Sequence, residues 1–205
     1  MPVDAPPVAA GPTSDKPEGE NPYFPVKTTR RYGFTLGIVG GAQITNASGS
    51  SIKFTQRDTP TSTGTAIGIG ESVWIGGAFT DWFAFHVGAT FGSASTSEHT
   101  ISGSGAIFGI ETWPLFSQGG VFRDLGVGLD LGTGTAEVRN KATDKVVANG
   151  GAASNIRASL FWDALSLWKI NAGPYVAYER RDAEVFSQSI VWVGLRTSLY
   201  GVNLK

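Results

Sequence analysis

The chain has 205 residues, with 16 Lys and Arg against 17 Asp and Glu, so its net charge is −1. Charged residues make up only 16%, against about 25% in soluble domains, and 28 Gly is about twice the usual share. These proportions exclude a coiled coil or helical bundle, and glycine without a G-X-Y period excludes collagen. The absence of Cys removes disulfide frameworks, thiolate metal sites and Cys nucleophiles, and the balanced charge gives no electrostatic basis for binding nucleic acid.

Residues 1–31 hold seven of the ten prolines, interspersed with Asp, Lys and Glu and lacking an apolar period. Such a segment buries too little surface to offset its ordering entropy, so a flexible tail is predicted there, followed by one domain over 32–205. From Tyr32 onward the pattern alternates with period 2, the signature of half-buried strands. The first run sets Phe34, Leu36, Ile38 and Ala42 against Thr35, Gly37, Gly41 and Gln43. The second, Thr65 to Phe79, sets Ile67, Ile69, Val73, Ile75 and Phe79 against Ala66, Gly68, Gly70, Ser72, Trp74 and Gly76. Phe83, Phe85, Val87, Ala89 and Phe91 alternate with Ala84, His86, Gly88 and Thr90 in the third. The fourth, about Thr100 to Trp113, places Ala106, Phe108 and Ile110 on its apolar face. Four more runs carry Leu125 to Leu131, Ile156 to Trp162, Trp168 to Tyr178 and Val191 to Leu199.

The connections alternate in length. Residues 46–64, 93–99, 135–151 and 180–186 read as polar loops, whereas 80–82, 114–123 and 163–166 read as shorter turns. Loops segregated in this way are built into outer-membrane barrels. The two faces give the same reading. A soluble lipocalin-like barrel has its apolar face inside and charge outside. Here the polar face is mostly Gly, Ala, Ser and Thr with isolated charges, which suits a crowded lumen, and the other face is continuous Phe, Leu, Ile and Val, which suits lipid. An eight-stranded antiparallel up-and-down transmembrane β-barrel, all-β, is therefore expected.

Trp82, Trp113, Trp162 and Trp168 lie at the short-turn end and are expected to form an interfacial aromatic belt, while Trp74 and Trp192 fall on the inward face. By parity His86, Glu111, Asp130, Arg157, Lys169 and Arg196 point inward, where a linked polar network would fill the lumen. Arg196 is expected to face Gly37, whose missing side chain leaves room for a guanidinium. Glu71 falls on the apolar face; either it stands near the outer interface or a bulge at Gly70 turns it inward.

The segments TDWFAFHVGATFG, FGIETWPLF, LGVGLDLG and VWVGLRTSLYG, within a pattern spanning about residues 32–201, resemble the small eight-stranded outer-membrane barrels of Gram-negative bacteria. These are typified by the transmembrane part of outer membrane protein A and by outer membrane protein X. The resemblance implies export through the periplasm, insertion by the outer-membrane assembly machinery, and contact with outer-membrane lipid and lipopolysaccharide. It also implies that loops 46–64, 93–99, 135–151 and 180–186 face outward from the cell and both termini face the periplasm.

No nucleotide-binding, zincin or nucleophile-elbow motif occurs, so neither a cofactor nor a metal is expected. His99, with Glu98 and Ser102, can be arranged on paper as a hydrolytic triad of a lipid-modifying enzyme, although a loop histidine is the simpler reading. The favoured function is a non-enzymatic membrane anchor, loop-display scaffold or narrow, largely plugged channel. The alternatives are a soluble or periplasmic ligand-binding barrel and an outer-membrane lipid-modifying enzyme.

Overall fold

A computed structural model describes residues 31–49, 61–118 and 120–202. The Pro-rich stretch assigned to a tail therefore lies outside the described residues except for Arg31. The alternating runs form β1 (Gly33–Gly49), β2 (Thr61–Thr80), β3 (Phe83–Ser95), β4 (His99–Thr112), β5 (Leu125–Asn140) and β6 (Val146–Trp162). They continue as β7 (Leu165–Leu167), β8 (Ile170–Ala183) and β9 (Ser187–Val202). From β1 to β6 each strand pairs antiparallel with its sequence neighbour, as do β7 with β8 and β8 with β9. β1 pairs with β9 and β6 with β8, which closes the sheet. β7 extends the β6 edge after a break at Asp163–Ala164, so nine segments make eight barrel staves.

The register sets the dimensions. A row leaving Leu36 passes through Ile75, Val87, Phe108, Leu131, Ile156, Arg180 and Ser189 and returns to Asn46. That stagger is ten residues (46 minus 36) over eight staves, which tilts the strands by about 43° and leaves an interior just wide enough for side chains. On β1 the outward residues from Phe34 to Ile44 are all apolar or glycine. Ten residues at that tilt span about 24 Å along the barrel axis, the height of a hydrocarbon core facing a barrel. Leu36, Phe108, Leu129, Val176 and Val193 all stand exposed in this band, which encircles the barrel rather than forming a patch. Soluble proteins do not present such a surface, so the band faces lipid.

Above the band the alternation inverts. On β5 the outward residues Val127, Leu129 and Leu131 are followed on the same face by Thr133, Thr135 and Glu137. Ala136 and Val138 point inward, joining Ala47, Ala66, Ala94, Ile101, Ala148 and Phe186 in a small apolar core. A strand leaving the bilayer needs wet groups outside, and its inside is then free to be dry.

This inversion corrects the expected loops. The segment 135–151 is mostly paired strand, turning at 141–145, and 93–99 and 180–186 shorten to turns at 96–98 and 184–186. The polar residues there have the look of loops because only the outward half of the alternation is polar. Of the 46–64 connection, 50–60 lies outside the described residues.

Candidate functional site

The lumen is the place where chemistry-bearing side chains converge. At the turn end, Trp113 packs edge-on against Phe161 and Tyr200, with centroids 5.6 and 5.9 Å away. Arg31 lies against this cluster, its guanidinium carbon 4.3 Å from the Trp113 centroid, and is completely buried. Its backbone N–H donates to Asp81 Oδ1 at 2.9 Å, and its guanidinium reaches the Asp81 carbonyl at 3.2 Å, the Asp124 carboxylate, and Asp163 Oδ2 at 3.5 Å.

Asp163 passes the chain of charges upward. Arg196 donates to Asp163 Oδ1 at 2.9 Å, to Glu111 Oε2 at 2.6 Å and to the Tyr200 hydroxyl at 3.1 Å, and its guanidinium carbon stands 3.9 Å from the Phe161 ring centre. His86 sits between two carboxylates, its Nε2 2.9 Å from Asp130 Oδ1 and its Nδ1 3.8 Å from Glu111 Oε1. Arg157 donates through Nε to Asp130 Oδ2 at 2.6 Å and through Nη2 to Ser72 Oγ at 3.3 Å. The sequence Arg31–Asp163–Arg196–Glu111–His86–Asp130–Arg157 thus alternates base and acid and ties together groups from β3, β4, β5, β6 and β9. Such alternation lets each buried charge meet an opposite one, the condition under which burial is tolerated.

Higher in the lumen, Asn155 and Arg181 both donate to Glu179 Oε1, at 3.0 and 2.6 Å. Gln188 donates to Thr45 Oγ1 at 3.1 Å. The apolar core lies above them at the far end. Interior glycines make room for the large rings: a Cβ on Gly37 would strike the Trp74 indole, and one on Gly70 would strike Trp192.

Of the six charged residues expected to form one interior network, His86, Glu111, Asp130, Arg157 and Arg196 come together. Lys169 does not. It follows Trp168, whose φ of 57° turns the chain, and its Nζ donates to the Gly201 carbonyl at the rim, 2.6 Å away. The space at Gly37 holds Trp74 rather than Arg196, whose cross-strand partners are Val39 and Gly173. Among the expected belt, Trp82 and Trp168 are exposed, and Trp162 is half-buried with its indole N–H donating to the Val121 carbonyl at 3.2 Å. Trp113 is fully buried inside, because it lies two residues beyond the inward Glu111 and keeps the same face.

Glu71 stays outward: Gly40–Glu71–Phe91 pair in unbroken register, with no bulge at Gly70. His99 points inward and Ser102 outward on β4, so those two cannot act together on a substrate.

Arg31, Asp163, Glu179 and Arg181 are interior Asp, Glu and Arg residues that lie outside the alternating runs. The last three follow from extending parity two residues beyond Phe161 and four to six beyond Tyr175. Arg31 shares the parity of the inward Thr35, but Gly33 between them has a φ of 94°, so the alternation of the ladder does not by itself carry it inward.

The pair Asp130–Arg157 lies directly across the β5–β6 ladder. Removing either member alone should destabilise the barrel, and the double-mutant cycle in Arg157→Ala and Asp130→Ala should give a coupling of about 1–3 kcal/mol. Strictly additive losses would show the two groups to be independent.

A closed, eight-stave antiparallel barrel with an apolar belt outside and charged and polar side chains inside has the fold of the small outer-membrane barrels. No family model matches the chain, and no curated protein matches it in sequence. The solved structure of Neisserial surface protein A is similar at a TM-score of 0.52 with 10% identity, covering 82% of this chain and 97% of that one. Ail, the attachment invasion locus protein of Yersinia pestis, is similar at 0.53 with 11% identity, covering 82% and 99%. At such identities the likeness concerns the fold.

Proposed function

We propose that this protein is a resident of the outer membrane that acts as a non-enzymatic anchor and scaffold, its lumen closed rather than conducting. One observation carries the reading: the outside of the barrel is predominantly apolar over a bilayer's height, while the inside holds linked charges between a cluster of rings at one end and an apolar core at the other. Eight staves leave no room for a diffusion pore once these side chains are in place. In this reading the staves that continue above the band are the displayed part, facing outward from the cell, and both termini lie on the periplasmic side. The outward half of β5, from Thr133 to Arg139, is polar and supported from within, so it presents a fixed surface rather than a loose loop.

Lipid and lipopolysaccharide would surround the belt, and insertion would follow the assembly route of other barrels. The purified protein should require detergent, and unboiled samples should migrate differently from boiled ones on a denaturing gel, because a closed barrel has no free edge at which to unravel. In planar bilayers the wild type should give no steady conductance. A monodisperse detergent-free monomer would overturn the membrane assignment, and an open ohmic channel would overturn the closed lumen.

A further inference from the structure

We infer that the turn end of the barrel is a guanidinium-binding cup, and that Arg31, just before β1, is its ligand in cis at the mouth of the lumen. Each of the three hairpin turns at this end contributes one aspartate. Asp81 belongs to the β2–β3 turn, Asp124 directly precedes β5, and Asp163 directly follows β6. The guanidinium meets the Asp81 carbonyl and the Asp124 and Asp163 carboxylates around its edge, and the Trp113 ring against its face. Edge donors to oxygens and a flat face on an aromatic ring are the geometry that suits a guanidinium and not a compact ammonium. The Asp163 N–H donates to the Asp124 carbonyl at 3.1 Å, so the two acidic walls are joined even without the ligand.

This placement has two effects. Arg31 ties turns that are far apart in sequence, so it acts as a clamp on the barrel's lower rim. It also stands at the first link of the acid–base chain through Asp163 to Arg196, so its departure leaves Asp163 with one cation instead of two. The effect on the lumen rests on the closed-lumen reading above; the cup itself does not.

The test is chemical rescue in the full chain. Arg31→Ala should lower the thermal unfolding midpoint in detergent by roughly 5–10 °C, the scale expected when a buried ion pair loses one member. Millimolar guanidinium chloride should restore much of the loss by binding the folded state, whereas sodium or ammonium chloride at equal ionic strength should not. In Arg31→Ala/Asp124→Asn the rescue should disappear, and Arg31→Lys should behave more like the alanine variant than the wild type. An unchanged midpoint in Arg31→Ala, equal rescue by all three salts, or rescue that survives loss of Asp124 would each overturn the cup. In planar bilayers Arg31→Ala should stay as closed as the wild type, because the apolar core at the far end is untouched. A wild type that already conducts would sink the closed lumen, while the midpoint measurements would still decide the cup.

Discussion

Replacing Arg196 with alanine should be among the most damaging single changes in the barrel, costing about 3–5 kcal/mol, because it strips one partner from buried charges on both sides. Arg196 is all but fully buried and donates to Asp163, Glu111 and the Tyr200 hydroxyl at once. Without it, Asp163 keeps Arg31, but Glu111 is left with His86 at 3.8 Å as its nearest ionic contact. The guanidinium also fills space between Phe161 and Trp74, so truncation removes packing as well as charge. Two companions separate these contributions. Arg196→Lys keeps the charge and loses the fork and the stacking, and should fall between wild type and alanine. Adding Glu111→Gln to Arg196→Ala should recover part of the loss, since it removes the carboxylate that the first change stranded. The measurement is reversible urea unfolding from lipid vesicles. If Glu111→Gln makes Arg196→Ala worse by its own single-mutant cost, Glu111 and Arg196 do not act as a pair.

What can be read from the amino-acid sequence, and what cannot, divides along the bilayer boundary. Within the hydrocarbon layer, outward positions are predominantly apolar, with Glu71 an exception, and every second residue is outward, so Leu125 to Leu131 or Phe83 to Phe91 declare both strand and face. Parity then places Asp130 and Arg157 inside, and their pairing follows from strand order alone.

Beyond that layer the constraint reverses. Thr135, Glu137 and Arg139 are outward and wet, while Ala136 and Val138 are inward and apolar. A mixture of small and polar residues has the composition of a loop, and the strand is visible only if a change of phase is allowed. At the turn end, parity fails for a different reason. Lys169 follows Trp168, whose positive φ turns the chain where it leaves the ladder, whereas Trp113 keeps the inward parity of Glu111 and departs only from the belt expected of a tryptophan at a turn. Arg31 lies beyond reach because its partners come from three turns, 50, 93 and 132 residues away in the chain.

The assignment of faces has a sharp consequence at one pair of positions. Leu129 and Thr135 both point outward from β5, and they differ in depth. Leu129 lies near the middle of the apolar band, beside Ile110 and Ala158, which also point outward. Thr135 pairs with Ser104 and lies at the upper edge, where outward groups have become hydroxyls. An arginine at mid-depth must drag its charge through hydrocarbon or thin the bilayer, whereas one at the edge reaches headgroups and water directly. Leu129→Arg should therefore cost about 2–4 kcal/mol and Thr135→Arg no more than about 1 kcal/mol, both by unfolding from lipid vesicles. The lumen offers a control: neither change touches an inward residue, so the Asp130–Arg157 coupling should be the same in both backgrounds. In a detergent micelle, which deforms easily around a charge, the difference between the two variants should shrink. Equal costs in vesicles would mean that depth does not govern this face, and the band on β5 could not then be the surface that lies in the bilayer.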